Sequence, residues 1–182
     1  MKRRILLGVA LLLSIGTASA GTKQAWTAGW DQFSEPLNYT KSSVIWSVNT
    51  KSKKLSVTFN LVGANPNKLY QVGVHIFCTT ISPTFGQFST GGSCGSITRQ
   101  GVTKSVAAVE FGVVRTDIHG NGKFSVVVGP IASGTYKLEF NTRNGAGCNL
   151  AGGGNPGDPI ICEADFQSPG PTFGDGTTIT IP

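Results

Sequence analysis

The sequence is poor in the residues that build metal centres and catalytic sites. It holds two histidines and four cysteines among 182 residues, and no two cysteines stand in a Cys-x-x-Cys arrangement. Neither His75 nor His119 lies beside a cysteine, so the spacing disfavours a zinc site. No metal and no cofactor is expected.

Long apolar runs are absent after the first twenty residues, so no later transmembrane segment is expected. The one apolar run, residues 5–15, is shorter than the roughly 20 residues that a membrane span needs. It follows three cations at residues 2–4 and precedes a small-residue cleavage pattern at residues 18–20. We therefore predict that residues 1–20 are a signal peptide and that the secreted product, extracellular or periplasmic, begins at Gly21.

Strong basicity is also lacking. The formal net charge of +6 falls to +3 without the three cations of the signal peptide. The remaining cations are scattered, except for Lys51, Lys53 and Lys54, which we place in a solvated hairpin turn, with contact to an anionic surface as the alternative. Nucleic acid is therefore not an expected partner.

Four cysteines in an exported chain predict two disulfides, and three pairings are open. We favour Cys78 with Cys94 and Cys148 with Cys162, because each pair encloses a glycine-rich segment of similar length. Each bridge would contribute about 3 kcal/mol in the chain-entropy model. The long connections that contain these segments are the first places to look for ligand recognition.

The rest of the chain indicates strands and turns, with little that could be a helix. Residues 55–61 alternate strictly between apolar and polar side chains, and residues 70–76 do so again after a turn. We predict that these two strands pair antiparallel, with one face on a core and the other in water. Further strands are predicted at residues 44–49, 105–114, 123–128, 135–141, 160–166 and 177–181. This pattern predicts an all-β protein, a single antiparallel β-sandwich domain over residues 21–182.

Residues 116–124 and 134–138 combine a Thr-Asp pair, a glycine-rich turn, an aromatic on the next strand and a Gly-x-Tyr sequence. Over residues 113–141 this pattern resembles secreted Greek-key modules of the immunoglobulin-like and prealbumin-like kind. The resemblance implies a sandwich with a turn that needs glycine at positive φ. It also implies that the Tyr136 ring fills the sandwich end while its hydroxyl binds backbone. Such modules act mostly as spacers, adhesive domains or binding domains, so the resemblance implies a fold and no reaction.

Two patterns have the residue types of catalytic sites without the surroundings that catalysis needs. Ser93 lies in a Gly-x-Ser-x-Gly sequence that lacks the buried strand and the helix of a nucleophile elbow. Glu163 and Asp165 alternate on one predicted strand, whereas glycosidase carboxylates face each other across a cleft. A secreted hydrolase that uses these residues is one alternative function.

Residues 117–122 begin like a calcium loop, but Val128 stands where an EF-hand requires glutamate. A hairpin turn is predicted there, and a weaker calcium site at Asp117 and Asn121 is the alternative.

Aromatic residues concentrate in the N-terminal quarter and in predicted loops. Loop aromatics can stack on sugars or anchor another protein, and they can equally plug the ends of a sandwich. Trp26 and Trp46 are among the aromatic residues of the N-terminal quarter. The candidate ligand-binding residues are Trp30, Phe85, Phe88 and Phe173.

We therefore expect a secreted or cell-surface protein that acts in binding, adhesion or extracellular assembly rather than in catalysis. The expected partner is a polysaccharide, a surface protein or a second copy paired through a sheet edge. The strand at residues 177–181 could supply such an edge, although pairing within its own domain is the default. A carbohydrate-binding module using the loop aromatics is the other alternative.

Overall fold

The computed structural model describes residues 21–28, 35–78, 94–99, 102–144, 164–168, 174 and 176–182. Within these ranges the backbone forms eleven strands and no helix, and hence no helix long and apolar enough to span a bilayer. The strands are β1 (Thr22–Ala25), β2 (Thr27–Ala28), β3 (Ser43–Asn49), β4 (Lys54–Leu61), β5 (Leu69–Phe77), β6 (Gly95–Arg99), β7 (Val102–Arg115), β8 (Gly122–Val128), β9 (Gly134–Asn144), β10 (Ala164–Ser168) and β11 (Thr177–Ile181).

The strands form two antiparallel sheets, which confirms the prediction of an all-β, antiparallel protein. The four-stranded sheet has the order β1-β3-β4-β8, and the seven-stranded sheet has the order β2-β10-β9-β5-β7-β6 with β11 also paired to β9. β10 and β11 lie end to end along one edge of β9, because β10 pairs with residues 140–143 and β11 with residues 134–138. Pairing of the C-terminal strand within its own chain, the default expectation, is thus observed.

One apolar cluster takes side chains from both sheets. The ring of Phe59 on β4 lies 6.1 Å from the rings of Trp26, Phe111 and Phe140, and the last two belong to the seven-stranded sheet. Trp26 is 2% exposed and its indole N–H donates to the carbonyl of Asn60 at 3.2 Å, so this tryptophan is a core residue. Buried aromatics of this size dominate the energetics of a core.

Buried and partly exposed side chains alternate along β4, as the sequence predicts. The strand that pairs with β4, however, is not the predicted one. β4 pairs with β3 through the lysine-rich turn and with β8 on its other side, whereas β5 lies in the other sheet. The predicted antiparallel pair of residues 55–61 with residues 70–76 is therefore wrong. An alternating strand fits any neighbour that shares its apolar face, so the pattern alone does not select the partner.

Contacts with the turn before β8 hold the β4–β5 connection in place. The hydroxyl of Thr116 donates to the carbonyl of Asn65 at 2.7 Å and accepts from the backbone N–H of Lys68 at 2.9 Å. The N–H of Ala64 donates to the carbonyl of Gly120 at 2.9 Å. These bonds satisfy buried backbone groups as the chain crosses from one sheet to the other.

Cys78 and Cys94 are joined by a disulfide with a Cα–Cα distance of 6.3 Å. Cys78 follows β5 and Cys94 precedes β6, and these two strands flank β7. The bridge therefore connects two strand ends across a third strand. Cys148 and Cys162 lie outside the described residues, so their pairing stays a prediction.

Tyr136 makes the backbone hydrogen bond that the Greek-key resemblance implies. Its side chain is buried and its hydroxyl donates to the carbonyl of Ala132 at 2.9 Å. The glycine-rich turn likewise needs glycine, because Gly120 has a φ of 74° and an added Cβ would stand 1.9 Å from the Ala64 carbonyl oxygen. Both features were implied by the resemblance and both are present.

We expect Gly120→Ala to lower the free energy of unfolding by about 2 kcal/mol or more, because it adds a backbone clash to the strain of positive φ. Gly63→Ala is the matched control, since Gly63 has a φ of 68° but its added Cβ meets no atom closer than 3.6 Å. It should cost about 1 kcal/mol. Urea unfolding of both variants measures the difference, and equal losses would contradict the clash.

Candidate functional site

Most of the residues that the sequence nominated for a site lie outside the described residues. Asp165 lies on β10, of which only the backbone is described. The roles suggested for these residues therefore remain predictions. The nominated residues outside the described ranges are Trp30, Phe85, Phe88, Ser93, Cys148, Cys162, Glu163 and Phe173.

Asp117 and Asn121 form a turn that their own side-chain oxygens help to close. The Asp117 carboxylate accepts from the backbone N–H groups of His119 and Asn121, each at 2.8 Å, and the Asn121 side-chain oxygen accepts from Gly63 N–H at 3.2 Å. This geometry is that of the predicted turn, and the calcium alternative stays a prediction. In the ranges that the structure describes, no group of three or more His, Cys, Asp or Glu side chains could hold a metal ion.

The most unusual polar group in the described structure lies on β5 and β9. Tyr70, Val72, Val74 and Ile76 of β5 point into the apolar core, so the alternate residues occupy the opposite face of the sheet. That opposite face was expected to meet water, and it is buried instead. We call its buried polar residues the outer-face cluster, and they are Gln71, His75, Glu139, Asn141 and Arg143.

Strand register brings the outer-face cluster together. In the β5–β9 pair, Gln71 stands opposite Arg143, and His75 stands opposite Glu139. Asn141 lies between these two pairs, opposite Gly73. Directly opposed residues on one face of an antiparallel pair have their Cβ atoms about 5 Å apart, which is close enough for side-chain hydrogen bonds.

Three members of the cluster form a hydrogen-bonded chain. His75 Nδ1 lies 3.1 Å from a carboxylate oxygen of Glu139, and a guanidinium nitrogen of Arg143 lies 2.8 Å from His75 Nε2. A guanidinium can only donate, so Nε2 must accept, which assigns the imidazole proton to Nδ1. A neutral histidine thus links a buried cation to a buried anion.

The second carboxylate oxygen of Glu139 faces the segment that leads into β11. The backbone N–H of Gly174 donates to it at 3.4 Å. Glu139 is fully buried, and a buried carboxylate is tolerated only when it is hydrogen-bonded and its charge is balanced. Here His75 and Gly174 supply hydrogen bonds, and Arg143 supplies the opposite charge.

The other two members have unused hydrogen-bonding capacity. The side-chain oxygen of Gln71 and both amide atoms of Asn141 are buried without a hydrogen-bond partner. These are three of five such atoms found within the described residues, and the other two, on Gln24 and Trp46, lie in the four-stranded sheet. Buried polar atoms are normally paired, so this concentration on one face requires an explanation.

The scaffold under the cluster is rigid. β5 is paired on both sides, with β7 and β9, and β9 is paired on its other side with β10 and β11. A β-bulge at Phe111 of β7 shifts the register beside Gly73, where an added Cβ would stand 2.3 Å from the Val109 carbonyl oxygen. Side chains on such central strands are held more accurately than side chains on loops.

The sequence contained a signal for this cluster that the periodicity argument did not use. Polar side chains recur at alternate positions, at Gln71 and His75 and at Glu139, Asn141 and Arg143, and all but Arg143 lie within the strands predicted at residues 70–76 and 135–141. What the sequence lacked was the register between them, because His75 and Glu139 are 64 positions apart. A shift of one residue would have placed the two side chains on opposite faces.

Comparison of the chain with protein-family models, with curated proteins and with solved structures finds no match.

We expect Glu139→Gln to lower the free energy of unfolding by about 3 kcal/mol, because it removes a fully buried carboxylate that is hydrogen-bonded to His75 and to the backbone N–H of Gly174. Glu110→Gln on the neighbouring strand β7 is the matched control, since Glu110 is exposed and its loss should matter by less than about 0.5 kcal/mol. Urea unfolding at pH 7 gives both values. Similar losses in the two variants would contradict a structural role for the buried carboxylate.

Asp117 should make stability depend on pH. The backbone N–H of Asn121, and to a lesser degree that of His119, lowers the pKa of its carboxyl group below the ordinary value. Its stabilisation is therefore fully present above the unfolded-state pKa and is lost as the pH falls through the lower folded-state pKa. Asp117→Asn keeps the turn-forming side chain without titrating.

The difference in unfolding free energy between wild type and Asp117→Asn should be constant from about pH 5 to 8 and shrink below about pH 4. Urea unfolding across this range measures it. A difference that does not change with pH would show that the carboxylate form is not favoured by the turn.

Proposed function

We propose that the protein is exported and acts outside the cytosol as a non-catalytic β-sandwich that binds a ligand through the outer face of its seven-stranded sheet. The observation that carries the proposal is the outer-face cluster, in which unpaired amide atoms lie beside a fixed Arg–His–Glu chain. Convergent polar groups on a rigid support are typical of recognition sites.

Export is supported by the residue pattern at the start of the chain and by the disulfide. Residues 1–20 have the order of cations, apolar run and small residues that signal peptides have. The bond between Cys78 and Cys94 is of a kind that persists in oxidising compartments.

The sandwich architecture is supported by contacts between the two sheets. Phe59 of the four-stranded sheet packs against Phe111 and Phe140 of the seven-stranded sheet. Face-to-face packing of two sheets through interdigitated apolar side chains defines a β-sandwich. The buried Tyr136 and its bond to Ala132 add to the likeness to immunoglobulin-like modules.

Binding is favoured over hydrolysis by the hydrogen bond at His75 Nε2. The pair of His75 and Glu139 is arranged like the histidine and carboxylate of a catalytic triad, in which the other ring nitrogen takes a proton from the nucleophile. Arg143 donates to that nitrogen at 2.8 Å and so occupies the lone pair that a general base needs. The hydrogen-bonded chain of Arg143, His75 and Glu139 is therefore better suited to holding side chains in place than to transferring protons.

Catalysis is tested with a fluorophosphonate probe and a panel of ester and glycoside substrates, using wild type, His75→Gln and the control Glu110→Gln. We expect no labelling and no turnover that depends on His75. Activity that disappears in folded His75→Gln but persists in Glu110→Gln would refute a non-catalytic role.

Binding and export are tested on the natural product and on arrays. The secreted protein should begin at Gly21 and contain no free thiol when titrated without reductant. On an array of glycans and extracellular proteins, wild type should retain at least one ligand that His75→Gln binds at least tenfold more weakly. A cytosolic product with free thiols, or retention that is equal in both proteins, would contradict the proposal.

A further inference from the structure

The four-stranded sheet has an outer face that is open to solvent. Alternate residues of β3, β4 and β8 pack into the apolar core, so the residues between them point outward. The outward residues on β4 are half-exposed and those on β8 are exposed. We call this surface the lysine face and define it by Lys23, Lys54 and Lys123 with Ser56, Thr58 and Ser125 between them.

The lysine face carries positive charge that nothing on its own sheet neutralises. β1, β4 and β8 each contribute one exposed lysine, and none of the four strands contains an aspartate or a glutamate. Within the part of the chain that the structure describes, none of the three lysines forms an ion pair. Acidic residues lie on other elements, such as Glu110 on β7 and Asp117 in the turn before β8. A surface of this kind attracts anions.

The three lysines are too widely spaced for one small anion to contact. A row of directly opposed residues crosses the sheet from Lys23 on β1 to Ser125 on β8. Lys123 lies two residues before Ser125, so strand spacing and rise place the Cα atoms of Lys23 and Lys123 about 16 Å apart. Lys54, at the start of β4, lies at a similar or greater distance from both. Only an extended molecule with repeated negative charges can contact all three.

The groups between the lysines suit a sugar polymer. Ser56, Thr58 and Ser125 present hydroxyl groups, and the hydroxyls of Thr58 and Ser125 lie 2.9 Å apart across the β4–β8 pair. A hydroxyl both donates and accepts, so each retains capacity for a further hydrogen bond when it is bonded to the other. Saccharide hydroxyls have the same dual character.

The composition of the face disfavours the other common polyanions. The aromatic residues of these strands, Trp46, Phe59 and Phe124, belong to or pack against the core, so the face offers no ring on which a nucleic-acid base could stack. Its exposed apolar side chains are Ile45 and Val127. Two aliphatic side chains on a sheet form no apolar surface like that of a helix that lies in a membrane interface.

We propose that the lysine face binds an acidic polysaccharide, whose repeated anionic groups contact Lys23, Lys54 and Lys123 while its hydroxyls bond to the serines and the threonine between them. This surface lies on the other sheet from the outer-face cluster, and the inference does not rest on that cluster. Exposed ion pairs are individually weak and are screened by salt, so affinity comes from several contacts along one polymer and falls as salt is added.

The test measures binding of the secreted protein to polygalacturonate, alginate and heparin, with dextran as the uncharged probe. Wild type should bind at least one of the three acidic polymers and should not bind dextran. About three ion contacts should make the affinity fall at least about tenfold between roughly 50 and 200 mM sodium chloride.

The triple variant Lys23→Gln, Lys54→Gln and Lys123→Gln should bind the same polymer at least about tenfold more weakly than wild type. A matched control variant has the same net charge and should bind within about threefold of wild type, because its missing charges lie on the other sheet. Surface substitutions of this kind leave stability nearly unchanged, which urea unfolding checks. The control removes three cations of the seven-stranded sheet, by Lys104→Gln, Arg115→Gln and Lys137→Gln.

A measurement on wild type alone does not depend on the folding of any variant. Brief acetylation followed by mass spectrometry should show that the bound polymer slows modification of Lys23, Lys54 and Lys123 and leaves that of Lys104 unchanged. The inference is overturned if no acidic polymer binds, if the control variant loses as much affinity as the triple variant, or if the three lysines are not protected.

Two further probes distinguish the class of polyanion. Binding only to vesicles that contain phosphatidylglycerol, or only to oligothymidylate, would overturn the assignment of a polysaccharide. The proposed function is tested separately, because His75→Gln alters the seven-stranded sheet and leaves the lysine face intact. Retention that is lost in His75→Gln but kept in the triple variant would support the proposed function and overturn this inference for that ligand.

Discussion

Residues 70–77 of β5 and 138–143 of β9 are buried on both faces, and this double burial constrains every side chain that they carry. On the core side the constraint is met by apolar residues such as Val74 and Phe140. On the outer side the buried residues include polar ones, whose charges and hydrogen-bonding groups water cannot solvate. The chain from Glu139 through His75 to Arg143 meets it by pairing a buried anion with a buried cation through a neutral imidazole.

The rest of the fold holds these two strands in register. β9 is paired along one edge with β5 and along the other with β10 and β11, while the bridge from Cys78 to Cys94 ties the ends of the strands that flank β7. The opposite sheet supplies Phe59, which packs under this assembly. The polar residues of the outer face therefore lie on strands that are hydrogen-bonded along both edges and that pack against the four-stranded sheet with their other face.

This arrangement connects structure to the proposed function. A catalytic histidine needs a ring nitrogen that is free to take a proton, and here Arg143 occupies it. A recognition site needs fixed groups with hydrogen-bonding capacity to spare, and Gln71 and Asn141 have that capacity. Buried amides without hydrogen-bond partners break a general rule of protein structure, and natural proteins break such rules mainly at functional sites.

The sequence by itself determined the elements that depend on neighbouring residues. Alternation and turn chemistry sufficed for the hairpin from β3 to β4 and for the C-terminal strand, because these are local properties. Short polar strands such as β1 carried no such pattern. Only the tertiary structure decided that β4 and β5 belong to different sheets and that His75 meets Glu139. Strand partner and register are set by which apolar faces share a core, and a shift of one residue would have moved every outer-face side chain to the other side.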